Sequence, residues 1–277
     1  GGRDRGVADR RSRPRSLPAG RGAGVGQEAA LSNKACIVIS IIIPANNEED
    51  YIGDCLGFLL KSEGLPQDGG AQALQIIIIA NGCSDETVAE AQLLRASIEA
   101  KGWLLDILEL EQGSKIKALN AGDKSAKYAD RIYIDADVHV SRELIAAIVD
   151  ALDRPEATFV SGQAQIRSAR SLVSEIYARF WEQLPFMNTV VAGCGLYCVN
   201  GAGRARWGEF PDVIADDSFV RYHFLPDEMR KVPQTYSWPI TENFANLVRV
   251  RRRQNEGSRE LKLVLPELAK MTKRTHP

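Results

Sequence analysis

Two pairs of carboxylates carry the chemistry this 277-residue chain offers: Asp135-Ala136-Asp137, and the adjacent Asp216-Asp217. The first pair follows a short apolar run, Ile132-Tyr133-Ile134. Strands of a parallel sheet are buried on both faces and read as such runs. Ligands of open α/β sheets gather at the carboxyl ends of those strands. Two acids released there, one residue apart, suit a hard cation that in turn holds a diphosphate. By itself D-x-D is a weak sign, because Asp also ends strands and caps helices. The second pair opens the stretch 217–224, whose spacing predicts a helix, and the helix dipole alone favours acids at such a start. His139 and His223 lie just past the two pairs, where a lone His is more often structural than a metal ligand.

The elements that must position these acids alternate between strand and helix. The run Cys36-Ile37-Val38-Ile39-Ser40-Ile41-Ile42-Ile43 stops at Pro44 and gives way to Ala45-Asn46-Asn47-Glu48-Glu49. Tyr51, Ile52, Cys55, Leu56, Leu59 and Leu60 then recur with helical spacing. A second strand, 74–79, empties into Asn81-Gly82-Cys83-Ser84-Asp85, and Ser84 or Asp85 is placed to cap the next helix. A third strand covers 104–110, and Gly113-Ser114-Lys115 opens a helix bearing Ala118, Leu119 and Asn120. The strand that ends at Asp135 follows, then a helix with Ser141 as its expected cap. This order predicts an α/β fold with a Rossmann-like, mostly parallel sheet, flanked by helices and joined by right-handed crossovers. Four polar loops then share one sheet edge. No G-x-G-x-x-G follows the first strand and no G-x-x-x-x-G-K-[ST] occurs, which argues against a dinucleotide enzyme and a P-loop NTPase.

Past Asp153 the pattern changes. A strand is expected at 158–163, a helix at 171–181 and a small-residue strand at 192–199, leading into Asn200-Gly201-Ala202-Gly203. Small residues admit a ligand close to the backbone and equally permit tight turns. A C-terminal helix over 259–271 sets Leu261, Val264, Leu265 and Leu268 among Lys262, Lys270, Lys273 and Arg274. That pattern can rest on an anionic membrane, although packing on the domain or on a second subunit is the plainer reading.

Composition narrows the class. The chain is 44% hydrophobic with a formal net charge of −1, which gives no reason to expect a nucleic-acid partner. Five scattered cysteines, without zinc-like spacing, fit reduced thiols of a cytoplasmic protein. No apolar run reaches the roughly 18–20 residues needed to cross a membrane. Residues 1–34 are rich in Arg, Gly and Pro and are expected to be a disordered leader.

With the loops in place, the chain resembles family 2 of the inverting glycosyltransferases, which have the GT-A fold. Ile-Ile-Ile-Pro44-Ala-Asn-Asn47-Glu48-Glu is similar to the family's opening strand and its P-x-[YN]-N-E loop. The stretch from Ile76 through Asn81 and Asp85 to Thr87 resembles the strand followed by D-[DN]-x-S-x-D-x-T. Gly113 to Gly122 resembles G-K-x-x-A-L-N-x-G, and Tyr-Ile-Asp135-Ala-Asp137-Val the D-x-D. The segment 193–220 resembles the acceptor side ending in an [ED]-D pair. The resemblance runs from about Ile37 to about Gly257 in consistent order. It implies a nucleotide-sugar half over 35–155, an acceptor half over 156–243 and a helical extension over 244–277.

Carried over position by position, the resemblance puts Pro44, Asn47 and Glu48 in the nucleoside pocket, with Asn81 where the family has a residue facing the base and Asp85 on the same loop. Lys115 falls near the base and diphosphate, and Asp135 near ribose or metal. Asp137 becomes the ligand of Mg²⁺ or Mn²⁺, and Asp217 the catalytic base, with Asp216 in place of the usual Glu. Two departures matter. Asn81 stands where an acid is common. In the C-terminal Q-x-x-R-W of processive members, only Arg253 is kept, with Val250 for Gln and Gln254 for Trp. A single-addition enzyme follows, taking a nucleotide diphosphate sugar, UDP-linked by family habit, and a saccharide or lipid-linked acceptor. Polysaccharide or glycolipid assembly is the family's setting; a peripheral position at the inner face of the membrane and a homodimer are compatible with it.

The chemistry agrees with the residues. A departing diphosphate gathers charge that a cation neutralises, and a hydroxyl nucleophile needs a carboxylate to accept its proton. Arg251-Arg252-Arg253 can also stabilise diphosphate or form a solvated face. Trp181, Trp207 and Trp238 can stack on a sugar, with core packing the commoner role. The rivals are a non-catalytic nucleotide-sugar or glycan-binding module and a sugar nucleotidyltransferase. The latter wants a cationic loop where Asn46-Asn47-Glu48-Glu49 is acidic.

Overall fold

β1 (Ile39–Ala45) and β2 (Leu74–Asn81) are buried at every residue, as their isoleucine runs require. The computed structural model describes residues 38–65, 74–167, 169–184, 187, 191–264 and 266. The expected leader, the start of the first strand at Cys36, and the side chains of Leu265, Leu268, Lys270, Lys273 and Arg274 lie outside them. Between β1 and β2 comes α1 (Ile52–Leu60). After β2 follow α2 (Thr87–Leu93), α3 (Arg95–Glu99), β3 (Leu104–Leu110), α4 (Lys115–Ser125) and β4 (Asp130–Ile134). β3, β2, β1 and β4 lie side by side, all parallel.

The chain continues through β5 (His139–Val140), α5 (Leu144–Leu152), β6 (Phe159–Ile166), α6 (Leu172–Glu182), β7 (Leu196–Val199) and α7 (Gly201–Arg204). Then come α8 (Asp216–Arg221), β8 (Met229–Trp238) and α9 (Phe244–Val264). Among the described residues these strands form one eight-stranded sheet, β3-β2-β1-β4-β7-β6-β8-β5. β7 runs antiparallel between β4 and β6, and β8 is parallel to β6.

Alternation along the strands divides the core. Ile39, Ile41, Ile43, Ile76, Ile78, Ile132 and Ile134 pack with α1 and α5 on one face. Ile42, Ile77, Ile79 and Tyr133 pack with α4, α8 and Leu261 of α9 on the other.

Several expectations are corrected. Ser141 does not cap α5: its carbonyl accepts the Leu144 N–H at 3.2 Å, the residue before the helix is Glu143, and Ser141 Oγ is buried without a partner. Only Leu196–Val199 of the 192–199 stretch is strand, because Gly193 and Gly195 both adopt positive φ and break the ladder. The C-terminal helix begins at Phe244, well before Arg259. β8 was not foreseen, since Pro233 and its charged neighbours argue against a strand. Its pairing with β6 is irregular there, Ser161 facing Lys231 and Gln163 facing Thr235, so Pro233 sits in a bulge.

Candidate active site

The backbone places Asp135 and Asp137 in a tight turn beyond β4. The Asp135 N–H donates to the Gly195 carbonyl at 2.9 Å, and the Val138 N–H to the Asp135 carbonyl at 3.1 Å. Gly195 has φ +70, and a Cβ there would lie 3.2 Å from Val138 and 3.8 Å from an Asp135 carboxylate oxygen. Glycine thus lets the two segments approach. Arg167, just past β6, donates to the Asp137 carbonyl and lies 2.9 and 3.1 Å from the two His139 ring nitrogens. Phe58 stacks on that ring at 4.3 Å, so His139 belongs to the wall behind the turn.

The loops after β1 and β2 are laced together. Asn46 Nδ2 donates to the Asn81 carbonyl at 2.5 Å. Asn47, at φ +57, accepts the Ser84 N–H at 2.8 Å. The Glu48 N–H donates to Thr87 Oγ1 at 2.8 Å, leaving the Glu48 carboxyl toward the Asp135–Asp137 turn. Burial first, then the charges of Asp137, Asp135 and Asp85, push that carboxyl up to about 7. Burial and Asp135 likewise push Asp137 up to about 6, against Arg167 and Lys115.

The remaining predicted donor residues have structural partners. Pro44 is buried inside β1, in register with Ile79. Asn81 is 3% exposed; its Nδ2 donates to the Ala45 carbonyl at 2.7 Å and its Oδ1 accepts the Ser114 N–H at 2.9 Å. Asp85 accepts the Thr87 hydroxyl at 2.6 Å and the Glu49 N–H at 3.1 Å. Burial acts upward on Asp85, but these bonds outweigh it and hold the carboxyl below its usual range.

Lys115 ties the two acidic pairs together. Ser114 caps α4 by accepting the Lys117 N–H, which sets Lys115 in the first turn. Its Nζ lies 2.8 Å from Asp135 Oδ1 and 3.2 Å from Asp216 Oδ1. Burial acts downward on this ammonium, but Asp135 and Asp216 hold it charged, well above its ordinary range. Asp216 is 4% exposed, and its other oxygen accepts the Tyr197 hydroxyl at 2.9 Å. Asp217 beside it is not paired with Lys115 and accepts the Ser218 N–H at 2.6 Å. Burial and Asp216 push its carboxyl up to about 6, with Lys115 opposing.

α9 holds this arrangement from outside. Glu260 accepts the Ile214 N–H at 3.1 Å, and a Cβ on Gly257 would meet Ile214 at 3.0 Å. Arg253, exposed, lines a cleft of about 210 Å³ with Ser114, Lys115, Asp212 and Asp216. His223 lies apart: its Nδ1 is 2.9 Å from the Phe219 carbonyl and its ring packs on Trp207 and Phe219. Trp207 is itself a core residue.

Among the described residues, no three His, Cys, Asp or Glu side chains form a cage for a metal. The mutual repulsion of Glu48, Asp135 and Asp137 nevertheless favours a cation. Carboxylates that do not enclose a cage leave positions for diphosphate oxygens and water, which fits Mg²⁺ or Mn²⁺. Sequence reasoning missed Arg167 and Tyr197. Arg167 ends a strand on the same edge, which was a usable signal; Tyr197 sits in a small-residue stretch that gave none.

The chain matches glycosyl transferase family 2 over residues 40–192, more than half its length, and belongs to that family. Poly-beta-1,6-N-acetyl-D-glucosamine synthase of Staphylococcus aureus is 29% identical over 139 residues, 50% of this chain and 31% of the relative. The chain therefore spans about a third of the length of the curated relatives it matches. Among solved structures, S. aureus TarS 1-349 in complex with UDP aligns with a TM-score of 0.55 at 15% identity, covering 74% of this chain and 61% of that one. The mannosyltransferase PcManGT from Pyrobaculum calidifontis, in complex with GDP-Man and Mn²⁺, aligns with a TM-score of 0.56 at 21% identity, covering 77% and 60%. These structures establish the GT-A fold. Among the described residues no helix is long and apolar enough to cross a membrane.

Proposed function

We propose that this chain moves a single sugar, with inversion, from a nucleotide diphosphate sugar to a hydroxyl acceptor in polysaccharide or glycolipid synthesis. The observation that carries this reading is the Lys115 bridge: one ammonium reaches Asp135 on the donor side and Asp216, neighbour of the base, on the acceptor side. In this mechanism Asn47, Glu48, Asn81 and Asp85 shape the nucleoside end, the first two directly and the last two by fixing the loops. Lys115 and Arg253 face the diphosphate. Asp217, which is not paired with Lys115, accepts the acceptor's proton during attack from the side opposite the leaving group. Asp137 would hold Mg²⁺ or Mn²⁺, which when bound neutralises charge on the departing diphosphate. The complex of TarS with UDP-GlcNAc and the matched synthase support a UDP-sugar donor, and GDP-Man in PcManGT is the alternative. The departures at Val250 and Gln254 support non-processive transfer.

Calorimetric titration with UDP, GDP and dTDP, each with and without Mn²⁺, tests this. Metal-dependent binding of one nucleotide, lost in Asp137→Ala, is expected. Absence of nucleotide binding under every condition would refute the transferase reading.

A further inference from the structure

α6 is amphipathic in the reverse of the usual sense. Its small residues Ser174 and Ala178 face the protein and are buried. Leu172, Val173, Ile176 and Phe180 face outward, at 70%, 46%, 59% and 58% exposure. At about 100° per residue these four fall within one arc about 100° wide. Single exposed apolar side chains are ordinary, whereas an aligned arc of large ones marks a contact surface.

The flank of this arc is cationic. α9 lies against α6, with the Arg251 guanidinium 5.9 Å from the Trp181 ring centre. α9 bears Arg249, Arg251, Arg252, Arg253, Arg259 and Lys262 against only Glu256 and Glu260, and residues 251–256 are all exposed. Glu256 is paired with Arg259 at 3.0 Å and Glu260 binds the Ile214 N–H. On α6, Glu175 is paired with Arg179 at 2.5 Å, and Glu182 also faces out. Phe244, at the start of α9, is 69% exposed.

We infer that α6 and the exposed arginines of α9 form a docking surface for an anionic lipid bilayer. α6 lies in the interfacial plane with its apolar arc at the headgroup–acyl boundary, and the arginines meet anionic headgroups. A second copy is a poorer occupant, because a two-fold contact through this face would set arginines against arginines. The surface starts beside the site: the chain passes from Arg167, which holds the Asp137 carbonyl, directly to Leu172. This assignment does not depend on the transferase reading.

Co-sedimentation of the full chain with vesicles tests it. Binding is expected to phosphatidylcholine vesicles containing phosphatidylglycerol, to weaken with salt, and to be absent with phosphatidylcholine alone. The pair Ile176→Asp/Phe180→Asp should weaken it at least roughly tenfold. Arg249→Ser/Arg252→Ser should weaken it severalfold. All four positions are exposed, and circular dichroism checks that each variant folds. No binding to anionic vesicles would overturn the proposal. So would binding that survives Ile176→Asp/Phe180→Asp, which would assign it to the Arg-rich residues 1–34. A dimer by light scattering that the same pair converts to monomer would overturn it in favour of self-association.

Discussion

Asp216 and Asp217 are adjacent acids with different surroundings, and the division of tasks proposed for them rests on that difference. Asp216 is occupied by Tyr197 and Lys115, and in the proposed mechanism Asp217 is the acid that takes the acceptor's proton. Asp217→Asn should therefore lower kcat by about 10²–10⁴-fold, with nucleotide binding retained; steady-state kinetics and calorimetry check both halves. Burial and Asp216 raise this carboxyl to about 6, and the base must be ionised to act. Turnover should fall as pH drops through about 6, and a pH–rate profile without that limb would remove Asp217 as the base. Asn81 illustrates what the sequence conceals at this scale. The resemblance sets it facing a base, but its amide donates to Ala45 and accepts from Ser114, joining the ends of β1, β2 and the start of α4. Asp at that position would turn a carboxylate oxygen toward the Ala45 carbonyl, so the amide is a structural requirement here. No local pattern announces such long-range partners.

Among the elements, those with continuous or periodic apolar residues were legible: β1, β2, α1 and the helix opened by Ser114. The position of Asp135 and Asp137 just beyond a buried strand was legible too, since the apolar run before them marks that strand. β8 was not, since its burial comes from β6 rather than from its own hydrophobicity, and its bulge accommodates Pro233. α9 was read too short because the arginines at 249–253 mask a stripe of three well-spaced buried residues, Leu247, Gly257 and Leu261. Gly257 gives this helix a testable role. A side chain there would enter the space of Ile214 and Ala215 and push α9 from the segment that carries Asp216. Gly257→Leu should cost about 1–3 kcal/mol of stability and reduce kcat; urea unfolding alongside kinetics measures the two. Unchanged values for both would mean that α9 does not position the acids.

At the scale of the whole molecule, the site is a charge burden on the fold. Glu48, Asp137 and Asp217 all have carboxyls raised by burial and neighbouring acids, to about 7, 6 and 6. The folded state then binds protons that the unfolded chain has already released. Stability from these groups is greatest below about pH 4 and is lost as pH rises through 6–7. A cation that relieves the repulsion should raise the melting temperature more at about pH 8 than at about pH 5. Scanning calorimetry with and without Mn²⁺ gives the comparison, and an equal or larger rise at the lower pH would contradict it.

The pairing of β7 between β4 and β6 has a consequence for how such a protein can change. Asp135 and Asp137 follow β4; Gly195, whose carbonyl accepts the Asp135 N–H, precedes β7; and the two strands pair from Arg131 to Ile134. The portions before and after residue 155 are thus woven into one sheet rather than joined by a hinge. Exchange of the portion after residue 155 with that of a relative would have to rebuild this seam, so change is more readily accommodated in the loops at the sheet's edge than by swapping whole modules.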